Sequence, residues 1–109
     1  MTALIIGVPD VARTTGSAVQ RTQLDGRDYV ITWQWNERIA RWTMSIADQD
    51  GDPIASGVAL VVDFPLLSLV TDERAPPGTI AVVDRQSPAI DPTLTSLGAR
   101  HVVCYWPEA

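Results

Sequence analysis

The feature that most limits how this chain can fold is an alternating pattern that runs from Tyr29 to Val62. In Tyr29-Val30-Ile31-Thr32-Trp33-Gln34-Trp35 the large side chains Tyr29, Ile31, Trp33 and Trp35 fall at every second position, the period that gathers them on one face of a strand. Arg41-Trp42-Thr43-Met44-Ser45-Ile46-Ala47 repeats it with Trp42, Met44 and Ile46. A turn about Arg38-Ile39 sets Trp35 opposite Trp42, Trp33 opposite Met44 and Ile31 opposite Ile46, so each large apolar residue meets another across the ladder. A two-residue turn would force positive φ on β-branched Ile39, so a four-residue loop, Glu37 to Ala40, is expected.

The next turn, Asp48-Gln49-Asp50-Gly51-Asp52-Pro53, is constrained by phase. A two-residue Asp50-Gly51 turn would set Ile46 opposite Ala55 and throw Ile54, Val58, Leu60 and Val62 onto the wrong face. A three-residue loop, Gln49-Asp50-Gly51 with Gly51 left-handed and a glycine bulge, sets Ile46 opposite Ile54 and Trp42 opposite Val58. The expected core is Ile31, Trp33, Trp35, Trp42, Met44, Ile46, Ile54, Val58 and Leu60.

Shorter signals flank this unit. Residues 3 to 9 read as an edge strand ended by Pro9, within an N-terminal arm, 1–16, that is partly extended. Val19 to Leu24 alternates, and Asp25-Gly26 joins it to Tyr29 as a hairpin. Gly78 to Asp84 is apolar enough to be buried on both faces, and Arg100 to Trp106 closes the sheet. Two long connections separate these strands, Asp63 to Pro77 and Arg85 to Ala99. One turn of helix fits Asp63 to Leu69, and a capped helical turn fits Asp91 to Leu97. The chain is expected to be a single all-β domain over 1–109, a small antiparallel β-barrel or sandwich with two long loops. A length of 109 residues suits one core.

Composition excludes more chemistry than it suggests. A net charge of −5 opposes nucleic-acid binding, which needs a basic surface. No apolar run reaches the roughly 18 residues of a membrane helix. The first nine residues lack the basic segment and long apolar stretch of a signal peptide. One cysteine, Cys104, rules out an internal disulfide and a cysteine-based zinc site, which fits folding in a reducing cytoplasm. His101 and Cys104 differ by an odd number and point to opposite faces of one strand. His101 reads as a strand-end polar residue and Cys104 as a small buried one. Asp48-x-Asp50-Gly51-Asp52 has its glycine fourth, where a calcium loop needs it sixth, and Ala59 stands where that loop needs glutamate. No catalytic, metal or cofactor-binding residues are expected. All eight basic residues are arginine, the residue favoured over lysine at protein interfaces.

One resemblance runs through most of the chain. Leu24-Asp25-Gly26-Arg27-Asp28-Tyr29, Trp35-Asn36-Glu37-Arg38, Trp42-Thr43-Met44-Ser45-Ile46 and Asp48-x-Asp50-Gly51-x-Pro53-Ile54 carry it, followed by Gly57-Val58, Leu66-Leu67, Gly78-Thr79-Ile80, Asp84, Leu97-Gly98 and Tyr105. With these motifs the chain resembles the small baseplate plug proteins of contractile-tailed bacteriophages. The resemblance implies a non-enzymatic virion component, made in the host cytoplasm and packed in the tail baseplate against hub, tube-initiating or spike proteins, with self-association around the tail axis as a further option. Contacts are expected at Arg74, Pro76, Pro77 and Arg85, and across the uncharged face bearing Thr32, Gln34, Thr43 and Ser45. The rival reading is a carbohydrate- or peptide-binding β module using an exposed Trp106.

Overall fold

The computed structural model describes residues 4–9, 15–24, 26–67, 72–76, 78–86 and 89–107. Seven strands follow in order: β1 (Leu4–Ile6), β2 (Ser17–Leu24), β3 (Arg27–Asn36), β4 (Arg41–Asp48), β5 (Pro53–Ala59), β6 (Thr79–Asp84) and β7 (His101–Trp106). They form a four-stranded sheet, β2-β3-β4-β5, and a three-stranded sheet, β1-β7-β6, antiparallel throughout. The arrangement is sandwich-like and not a closed barrel.

The central hairpin has the register its alternation demands: Trp35 faces Trp42, Trp33 faces Met44, and Ile31 faces Ile46. Its loop is four residues long, and the positive φ falls on Ala40 (51°), sparing Ile39. Ile31, Trp33, Trp42, Met44, Ile46 and Leu60 are fully buried and join Ile80, Val82, Val103 and Tyr105 of the other sheet in one core. Trp35 differs from the expectation of a buried residue. It lies near the end of β3, half-exposed, with its ring 5.8 Å from that of Trp42 in an edge-on contact.

The β4–β5 pairing corrects the sequence reading. Near the turn the three-residue loop holds: Gly51 has φ +87°, Asp48 bonds to Asp52, and Ala47 faces Pro53. Beyond it Ile46 faces Ala55, not Ile54, and Val58 faces Met44, not Trp42. Two irregularities each add one residue to β5, one on either side of Ile46. A one-residue slip inverts a strand's faces and a second restores them. Val58 and Leu60 therefore return to the core side, while Ile54, Ala55 and Val58 are only partly buried against it.

The first long connection crosses β6. Asp63 donates its amide to Val82, Leu66 donates to Ile80, and Val62 bridges Val82 in parallel. This covers the free edge of β6 and explains why consecutive residues Ile80, Ala81 and Val82 are all buried. The second connection contains a turn closed by Ser96 N to Thr93 O (3.2 Å), without the helical turn expected over Asp91 to Leu97.

Candidate assembly interface

Each buried aromatic side chain with a polar tip must place that tip on a partner, and here the partners lie on other elements. The Tyr29 hydroxyl donates to Arg74 O (2.9 Å), Trp42 Nε1 donates to Thr93 O (2.8 Å), and Trp33 Nε1 donates to the Gln20 side chain. Tyr105 Oη accepts the Gly78 amide at 2.9 Å. The core thus ties both long connections to itself.

Arginine–aspartate pairs complete the attachment. Arg74 was expected at a contact with another chain, but its guanidinium is engaged internally: Nε and Nη2 hold Asp72 (3.1 and 2.7 Å), Nη1 reaches Asp48 (2.9 Å), and Nη2 also donates to Pro53 O (2.9 Å). The Asp72 carboxyl is lowered to about 2, chiefly by the Arg74 side chain. Pro76 is buried and offers no surface, Arg85 is exposed, and Pro77 lies outside the described residues. Asp91 accepts from Val62 N (2.9 Å) and Arg41 (2.7 Å), and these bonds hold its carboxyl below the usual carboxylate range, the Val62 amide most of all.

A buried polar cluster closes the second connection. Arg100 grips Asp84 with Nε and Nη2 at 2.7 and 2.8 Å, which holds the Asp84 carboxyl far below its ordinary range. His101 Nε2 contacts Ile90 O at 2.7 Å and Asp84 at 3.4 Å, and Nδ1 meets Ser96 Oγ at 2.8 Å. A carbonyl only accepts, so Nε2 carries a proton toward Ile90 O. Nothing in the sequence spacing signalled this Ser-His-Asp grouping. The side chains of His101 and Asp84 have no solvent exposure, so the imidazole is not placed to exchange a proton with a substrate as the histidine beside a catalytic serine does. His101 does stand at a strand end, but as a buried staple. Cys104 is buried, which raises its thiol pKa.

With the loops drawn inward, the outer face of β2-β3-β4-β5 remains. Its rows run straight across the strands: Val19, Thr32 and Ser45; then Ser17, Gln34, Thr43 and Ala59. Thr43 Oγ1 donates to Gln34 O (3.2 Å) and Ser45 Oγ accepts the Gly57 amide (3.1 Å), so two of its hydroxyls already have partners. A shallow depression of about 230 Å³ lies there, lined in part by Val30, Thr32, Ser45, Pro53 and Ser56. Trp106, the aromatic expected for a glycan site, is half-buried. Trp35 instead borders a hollow of about 410 Å³ with Gln34, Glu37 and Leu94. Among the described residues no group of acids, His and Cys could hold a metal.

Fold and surface together define a small all-β subunit with internally fastened loops and one sheet face whose central rows carry no charge. Residues 13–108 match the family described as cyanophage baseplate Pam3 plug gp18. The chain belongs to that family and is a structural component of a phage tail baseplate. No curated protein matches it.

Proposed function

We propose that this protein is a non-enzymatic plug that packs against hub and tube-initiating or spike proteins through the outer face of its four-stranded sheet. The observation that carries this reading is that face. In a chain with 21 charged residues (eight basic, thirteen acidic), the rows through Thr32 and Gln34 contain none. Burying uncharged side chains, two of whose hydroxyls are already bonded, has a low desolvation cost. Synthesis in the host cytoplasm and residence in the tail baseplate follow from the same reading.

Thr32→Glu tests it, since it puts a charge at the middle of the face without touching the core. The variant should fold with stability within about 0.5 kcal/mol of wild type yet be missing from purified tails. Normal incorporation would remove the sheet face from the interface.

A further inference from the structure

A sheet edge left open invites pairing with another chain, and proteins usually block their edges. Among the described residues three of the four sheet edges are blocked. That of β6 is covered by Asp63 and Leu66, β1 is three residues long, and β5 is broken by its two register shifts and begins at Pro53. The fourth, β2, has eight residues, no proline or glycine, and unbroken pairing with β3 from Ser17 to Leu24.

Which of its backbone groups face outward follows from the ladder. Trp35 N donates to Gly16 O at 2.8 Å, and bonded and non-bonded pairs alternate in antiparallel sheets. Residues 18, 20, 22 and 24 therefore exchange bonds with β3, while Ser17, Val19, Arg21 and Gln23 turn theirs away from it. Ser17 is satisfied by the Thr15 hydroxyl. The amides and carbonyls of Val19, Arg21 and Gln23 have no intramolecular backbone partner among the described residues. Val19 is also the most exposed large hydrophobic residue described, at 66%. Among the described residues the Arg21 guanidinium hydrogen-bonds to Gln49 O, at 3.2 Å, and pairs with no carboxylate.

We infer that the β2 edge receives an extended strand from a different baseplate protein, with an acidic side chain of that strand opposite Arg21. This rests on the plug reading above and goes beyond it by naming an edge and the chemistry of its occupant. Charge decides against a second copy of this chain: the self-pairing that uses all three outward residues places Arg21 directly opposite Arg21 of the copy, a destabilising like-charge pair. An acidic residue on a foreign strand turns that position into a cross-strand ion pair.

The test is complementation of a phage lacking this protein with wild type, Val19→Pro or Arg21→Glu, measuring the amount of chain per purified tail. Proline at 19 removes one outward amide and no bond to β3, and Arg21→Glu leaves the backbone intact. Both variants should melt close to wild type and be depleted from tails about tenfold or more, the effect of losing roughly 1.4 kcal/mol at the contact. If Val19→Pro fails to fold, Arg21→Glu alone decides. Incorporation of the folded variants at the wild-type level overturns the strand inference and leaves the plug reading standing. Absence of wild type from tails overturns both. A dimer of this chain in solution that Val19→Pro dissolves would replace the foreign strand with a second copy.

Discussion

The long connections and the outer sheet face differ in where their polar groups go. The connections are attached by Arg74–Asp48 and Arg41–Asp91, with Arg74–Asp72 inside the first and Arg100–Asp84 clasping the ends of the second, together with the tips of Tyr29 and Trp42. The face has no ion pair on its central rows and flanks an edge whose outward backbone groups at Val19, Arg21 and Gln23 have no backbone partner among the described residues. The long connections wrap and cover the core, and on the proposed reading the surface left for a partner is regular sheet.

The largest stability effect should come from breaking a core tether. Trp42→Ala empties a fully buried site and removes the indole bond to Thr93 O, and should cost about 3–5 kcal/mol in denaturant unfolding. A loss below about 1 kcal/mol would mean the second connection does not depend on the core. Gly78→Ala comes next, because a Cβ there would strike the Trp106 carbonyl oxygen and approach the Tyr105 ring to 2.8 Å. About 1–3 kcal/mol is expected from that overpacking, with loss of the bond to the Tyr105 hydroxyl visible as faster exchange of the backbone amide at position 78.

Much of this was legible in the sequence, and the misses have physical causes. Alternation located the central hairpin and its register because every slip would expose a tryptophan or an isoleucine. The β5 bulges were not legible, since two insertions cancel in phase and leave Val58 and Leu60 on the same side that an unbroken strand predicts. The His101 staple was equally hidden: Asp84 and Ser96 reach it through backbone folding that no local spacing encodes. The tie from Arg74 to Asp48 was hidden as well, because the two residues lie far apart in sequence.

A smaller effect tests the turn. Gly51 has φ +87° and open space around it, so Gly51→Val should cost about 1–2 kcal/mol from backbone strain alone, and Gly51→Asn clearly less. Equal costs would place the penalty elsewhere. The loop attachments should also show in pH dependence. Asp72 and Asp84 have carboxyl pKa values depressed below their unfolded value of 3.8, so their stabilisation is present above that pH and is lost as pH falls through the folded values. Melting temperature from this source should be flat from neutral pH to about 5 and fall below about 4. Asp72→Asn should shrink the part of the fall that occurs near pH 2, where the Asp72 carboxyl titrates.

The most direct measurement is a reconstruction of the assembled baseplate with this chain in place. It should bury more than about 1,000 Å² in total, centred on Thr32, Gln34, Thr43 and Ser45 with a foreign strand along β2, while Arg74 keeps its bonds to Asp72 and Asp48. A baseplate in which the loops at residues 72–76 and 89–100 make the contacts and the sheet face meets only solvent would contradict the account.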